Sequence, residues 1–174
     1  MQRTEPGASG SQLSRGSRLK LLIHRGLDRW LSPLGVWVMR RTKGGVGRAW
    51  KVNALLLTTS GRRSGRKRTV VLQFFPDDDA MVVVAANDGG ITYPGWYLNL
   101  TAAPEAEVEV EGRRIRVRAE ELEPAAASRW WQRILEIAPD YDWYRRATTR
   151  RFPILRLVPV PGETSAEMTQ GGDG

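Results

Sequence analysis

The sequence predicts an α+β domain in which short antiparallel strands curl into a small barrel, with helices before the strands and in the C-terminal half. Three patterns lead there. Apolar runs at 54–59, 69–75 and 80–86 are short and separated by Gly, Pro and Asp turns, residues 106–122 alternate apolar and charged side chains, and helical periodicity is confined to the N-terminal third and to 124–138.

From the N-terminus, residues 1–17 are rich in Gly, Ser, Gln and Arg without periodicity, and 161–174 are similar, so both are expected to be disordered tails around one domain at 18–160. In 18–41, Leu19, Leu22, Leu27, Trp30, Leu34, Trp37 and Val38 recur at helical spacing, with Pro33 dividing the helix and Ser32 placed to cap its second half. The break KGGVG precedes the three apolar runs, which read as strands joined by SGRRSGRK and PDDD, the latter closing a hairpin. A short helix is expected at 96–101, bounded by Gly and Pro. In the hairpin 106–122, turning at Gly112, Val108, Val110, Ile115 and Val117 face one way and the Glu and Arg residues the other. Pro124 opens an amphipathic helix whose stripe is Trp130, Ile134 and Ile137, beside Trp131 and Leu135. The polar segment PDYDWYRRATTR follows, and FPILRLVPV is the last strand.

The chain has 174 residues, 41% hydrophobic, with seven Trp, too much apolar surface for a dissolved tail. With no Cys and a single His, His24, it can form neither disulfides, thiolate metal sites nor a His-based metal centre, and no metal is expected. Asp77, Asp78 and Asp79 lack calcium-loop spacing and read as solvated. No apolar run approaches the roughly 20 residues of a spanning helix, and residues 1–15 lack a signal-peptide core, so a cytoplasmic location is expected. The net charge of +8 is uneven: residues 1–68 carry 16 Lys or Arg against Glu5 and Asp28, whereas 69–174 carry 11 against 17 acidic residues. Such asymmetry suits one anionic ligand and a basic N-terminal surface better than a nucleic-acid face. Dinucleotide, Walker, zinc-protease and nucleophile-elbow motifs do not occur.

Three segments carry chemistry. In TTSGRRSGRKRT, Arg62, Arg63, Arg66, Lys67 and Arg68 surround Ser64 and Gly65 after a strand. Glycine admits close approach of backbone, successive N–H groups can form an anion nest, and Arg supplies paired charged donors. The turn suits an anionic ligand, a solvated basic loop or nucleic acid, in that order. In NDGGITYPGW, glycines adjoin Tyr93 and Trp96 after a strand, as a platform for a planar ring or as core aromatics of the next helix. In APDYDWYRR, Tyr141 and Tyr144 share a face if helical, to orient a substrate and give it a proton or to pack.

Together, LLLTTSGRRSGRKRTVVLQFF, VVVAANDGG, PGWYLNLTAAPEAEVEVEG and APDYDWYRRATTRRFPILRLVPV resemble, in order over about residues 20–160, the deazaflavin-dependent nitroreductase family of actinobacteria. These are split β-barrel oxidoreductases that use coenzyme F-420. The resemblance implies a reductase that takes hydride from carbon 5 of reduced deazaflavin and gives it to a quinone, an enone or a nitroaromatic. It places Arg62, Arg63, Ser64, Gly65 and Arg68 on the phosphate and polyglutamate tail, and Asn87, Asp88, Gly89, Gly90 and Trp96 around the deazaflavin. Tyr141 and Tyr144 fall where family tyrosines cover the substrate, while Ala138 stands at a third tyrosine position and Asp88 where some members carry a base. FMN on the same barrel is the alternative cofactor, and a basic module for nucleic acid or a membrane surface is the alternative without chemistry. The basic helix at 18–41 has Trp at its apolar edge and suits either the inner face of the cell membrane or one end of the barrel.

Overall fold

The structure is a computed structural model that describes residues 36, 37, 40, 41 and 53–161. The two expected tails and most of the expected helix at 18–41 lie outside the described residues. Residues 36, 37, 40 and 41 are helical.

Seven strands form one antiparallel sheet: β1 (Ala54–Ser60), β2 (Lys67–Gln73), β3 (Phe75–Asp77), β4 (Ala80–Val84), β5 (Glu105–Val110), β6 (Arg113–Glu121) and β7 (Ile154–Pro159). The order is β2-β1-β5-β6-β7-β4-β3. The edge strands β2 and β3 are separated in the chain by Phe74 alone, so the sheet must curl until its edges meet there, and a split barrel results. The apolar run expected as one strand, 69–75, is therefore two. Its Phe74 N–H still donates to Asn53 O beside β1 at 2.9 Å, whereas Phe75 pairs with Val82 of β4.

Each sheet face has its own core. Inside the barrel, Leu55, Leu57, Met81, Val83, Val108, Val117, Leu155 and Leu157 pack with Trp96, Tyr97 and Leu100 of α1 (Gly95–Ala102). Outside it, Phe75, Val82, Val84, Phe152 and Ile154 lie under Ile134 of α2 (Pro124–Ile137) and Tyr141 and Tyr144 of α3 (Tyr141–Ala147). Alternation along β4 sends Met81 and Val83 inward and Val82 and Val84 outward, which is why AMVVV is apolar throughout. Phe74 joins the inner core and Phe75 the outer.

The charged hairpin forms in the expected register, with Val108 opposite Ile115 and Glu111 and Gly112 at the turn with φ of 51° and 80°. On its wet face Arg114 lies 3.8 Å from Glu109, and Arg40 reaches the same carboxylate at 3.2 Å. These exposed pairs contribute only about 0.2–1 kcal/mol each. Three expectations need correction. The strand expected at 80–86 stops at Val84: Ala85 N–H still donates to Pro153 O at 2.9 Å, but proline has no N–H to return the bond, and the carbonyls of Ala85 and Ala86 accept from a side chain instead. Ile137 is 58% exposed rather than on the buried stripe, since the chain turns away at Ala138. Asp77 is not simply solvated: it ion-pairs with Arg156 at 2.7 Å.

Candidate functional site

The polybasic turn links β1 to β2. Gly61 closes it: its N–H donates to Arg66 O at 2.9 Å, and its carbonyl accepts from Ser64 N at 3.1 Å and Gly65 N at 2.7 Å. Gly65 has φ of +65°, which a side-chain-bearing residue resists. Arg66 N–H donates to Ser64 Oγ at 3.4 Å, and Arg62 N–H to Asn99 Oδ1 at 3.1 Å. The N–H groups of Arg62, Ser64, Gly65 and Arg66 are thus taken by Asn99, Gly61 and Ser64 rather than left free as the expected nest. What it offers an anion is guanidinium. Arg62, Arg63, Arg66 and Arg68 are all exposed, and none has a carboxylate partner among the described residues, while Lys67 Nζ donates to Ser60 Oγ at 3.1 Å.

Asn99, on α1, is 7% exposed and is the anchor of that turn. The Arg62 N–H can only donate, so the amide oxygen faces it and Nδ2 donates to Thr59 Oγ1 at 3.0 Å. The TTSGRRSG and GWYLNL segments are therefore joined by one side chain.

The second segment, after β4, is a one-turn 3-10 helix at Asn87–Gly89. Asn87 has φ of 49°, and its Nδ2 donates to Thr92 O at 2.9 Å, which folds the loop back on itself. Gly90 leaves room for it, since a Cβ there would lie 3.0 Å from both Asn87 Nδ2 and Asn87 O, closer than ordinary contact. Asp88 is the middle residue of this helix. Trp96 follows at the start of α1, 8% exposed and edge-on to Tyr97, so its indole is part of the barrel core that backs the loop.

Tyr141 and Tyr144 stand on α3, as the spacing implied, with ring centroids 5.2 Å apart at 90°. Both are half-buried. Tyr141 also meets Phe75 and Trp131 edge-on, at 5.8 and 6.3 Å, which holds the ring in place. The helix touches the strand-end loop directly: a Cβ on Gly89, which has φ of +71°, would meet Ala147 Cβ at 3.0 Å and Trp143 and Tyr144 at 3.6 Å. Ala138 packs in the outer core beside these tyrosines. The structure thus brings Tyr144 to Gly89, and α1 carries the turn-anchoring Asn99 one helix away from the same loop.

Three side chains with no sequence signal of their own complete the region. Asn99 anchors the turn. Arg150 donates to the carbonyls around the strand-end loop, and Tyr97 OH donates to Glu121 Oε2 at 2.8 Å. Burial, then that hydrogen bond and the negative charge of Glu121, push the Tyr97 phenol up to about 12. Among the described residues no group of His, Cys, Asp and Glu could hold a metal ion.

The antiparallel barrel is thus split at one seam and carries a polybasic turn at one strand end and a glycine loop at another. The chain belongs to the F-420H(2)-dependent quinone reductase family, whose model matches residues 32–159. It is 37% identical over 68 residues to an F-420H(2)-dependent quinone reductase of Mycobacterium tuberculosis (strain ATCC 25618 / H37Rv), covering 37% of this chain and 46% of the relative. A putative F-420H(2)-dependent quinone reductase of Mycobacterium bovis aligns equally well. The chain thus spans about half the length of these curated relatives. Among solved structures, an F-420H(2)-dependent reductase, FDR-A, superposes with a TM-score of 0.55 at 31% identity over 60% of this chain and 93% of that one. A structure described as a domain-swapped dimer gives 0.57 at 28% identity, covering 83% and 99%.

The residues present fit the family's coenzyme. The guanidinium groups of the turn match an acidic tail, and the glycine loop can lie against a planar ring.

Proposed function

We propose that this protein is an F-420-dependent reductase whose acceptor is a quinone, an enone or a nitroaromatic. The observation that carries the reading is the turn itself. Its N–H groups at Arg62, Ser64, Gly65 and Arg66 are taken within the turn or by Asn99, and its four arginines project without described carboxylate partners, a layout for a flexible polyanion rather than for one buried phosphate. That favours the acidic tail of F-420 over FMN.

When bound, the coenzyme supplies hydride from carbon 5 of its reduced ring. The chain's own work is then orientation. Arg62, Arg63 and Arg68 hold the tail, with Ser64 and Gly65 shaping the turn between them. The 87–90 backbone supports the ring from one side, with Trp96 behind it. Tyr141 and Tyr144 cover the acceptor, and the Tyr141 phenolic O–H gives it a proton. No thiol, metal or histidine is needed. The segment 18–41, expected to be helical, rests on the inner face of the cell membrane, where an acceptor dissolved in lipid is within reach; Trp37 at 59% exposure, with Arg41 also exposed, supports this.

Anaerobic titration with F-420, FMN and NADPH in both redox states tests the reading, followed by turnover with menaquinone and a nitroimidazole. Tighter binding of F-420 than of FMN, falling with added salt, is the expected result. FMN binding as tightly as F-420 would transfer the assignment to a flavin enzyme.

A further inference from the structure

Arg150 lies in the polar segment between α3 and β7, where nothing in the local sequence marks it. Its guanidinium makes four hydrogen bonds, all to backbone carbonyls: Nε to Gly90 at 3.1 Å, Nη1 to Ala85 at 3.2 Å and Arg151 at 3.1 Å, and Nη2 to Ala86 at 2.7 Å. Its central carbon sits 4.6 Å from the ring centroid of Tyr93 and 4.8 Å from that of Phe152. Among the described residues it has no carboxylate partner.

Three of those acceptors, Ala85, Ala86 and Gly90, bracket the strand-end loop. That loop needs a brace. It holds two residues at positive φ, Asn87 at 49° and Gly89 at 71°, and its first carbonyls have left the ladder that ends at Val84. Several carbonyl oxygens converging on one spot repel unless a cation lies between them. A planar fork with five donors fits that role, and both its charge and its shape are used.

We propose that Arg150 is the positioning residue of the ring site: it fixes the 85–90 loop in the shape that lines the coenzyme ring, while the polybasic turn independently holds the tail. The assignment of the loop to the ring rests on the proposed function; the bracing of the loop does not. Lysine keeps the charge but places three donors on one atom, so it cannot bridge carbonyls at both ends of the loop.

The test compares Arg150→Lys with the parent and with Arg156→Met, which breaks the ion pair to Asp77 away from the loop. Amide hydrogen exchange without coenzyme is expected to speed up about tenfold or more within 85–92 in Arg150→Lys, and not in Arg156→Met. With coenzyme, Arg150→Lys is expected to bind F-420 about tenfold or more weaker, while the dependence of affinity on salt keeps the parent's slope because the tail site is intact. Tyr93→Leu, which keeps all four hydrogen bonds and removes one supporting ring, is expected to show the same pattern more weakly, and it carries the test if Arg150→Lys does not fold. Unchanged exchange in the loop, or faster exchange spread evenly over the sheet, would overturn the bracing role. Localised exchange with unchanged F-420 affinity would overturn the ring-site role alone. A parent that binds no F-420 would instead reject the proposed function, leaving the exchange result standing.

Discussion

Replacing Asn99 with leucine removes two hydrogen bonds at once and strands their partners. Thr59 is 1% exposed, so its hydroxyl loses the Nδ2 donor at 3.0 Å with no water to replace it. The Arg62 N–H, 3.1 Å from Oδ1, is at the surface and recovers water more readily. A satisfied hydrogen bond contributes about 0.5–1.5 kcal/mol, and an orphaned buried group costs about 1–3 kcal/mol. The Thr59 side falls at the upper part of that range and the Arg62 side at the lower, so Asn99→Leu is expected to destabilise by about 2–4 kcal/mol. Thr59→Val strands the Asn99 N–H instead and is expected to cost about 1–3 kcal/mol. Combining the two removes both ends of the bond, so the double variant is expected to cost about 1–2 kcal/mol less than the sum. Urea unfolding of the four proteins, with the slope m checked for constancy, measures this cycle. A single-variant cost for Asn99→Leu below about 0.5 kcal/mol, or strict additivity, would refute the view that this amide ties the turn to α1.

Arg63→Ala and Arg68→Ala are each expected to weaken F-420 binding by about 1.5–3 kcal/mol at low salt, the scale of a charged hydrogen bond rather than of a nearby exposed charge; equal affinity in both variants would remove the turn from the tail site. Tyr141→Phe keeps the ring contacts to Phe75 and Trp131, so turnover with saturating acceptor is expected to fall about 10- to 100-fold with coenzyme affinity unchanged, and Tyr144→Phe less. Full activity would leave Tyr141 a wall. The Tyr97 phenol is raised to about 12 by burial and Glu121, from about 10 in the unfolded chain. The stability it confers is complete below about pH 10 and is lost as pH rises through 12, of the order of 2–3 kcal/mol. Melting curves over that range are expected to flatten in Tyr97→Phe, and an identical alkaline slope would locate the loss elsewhere. Vesicle co-sedimentation is expected to rise with anionic lipid and fall with salt through the helix expected at 18–41. No sedimentation at low salt, with protein that is folded and binds coenzyme, would assign that helix to packing.

The strands, the charged hairpin and the helical tyrosine pair were legible because each rests on local periodicity or turn chemistry. The region that binds them together was not. Arg150 meets acceptors 60 to 65 residues away, and Asn99 meets Thr59 40 residues away, so neither leaves a mark on its own neighbourhood. The basic composition of 62–68 did reveal a charged turn, but not that Gly61, Ser64 and Asn99 would take its N–H groups. Phe74 and Phe75 concealed a change of strand partner for another reason: both positions are apolar, whichever core receives them.

That change of partner makes the seam of the barrel a matter of chain length rather than of strand pairing. Because β2 passes into β3 through one residue, the two sheet edges cannot drift apart, and closure costs almost no additional loop entropy once β1 and β4 are in place. The same economy makes Phe74 a poor place to cut. New termini there would remove the covalent link that holds the two edge strands together, and a circular permutant opened at that point would let the split barrel open at its seam, with both sheet edges free to pair with other chains. The turns at 77–80 and 110–113, each joining strands already paired to one another, are the safer points for rewiring this chain.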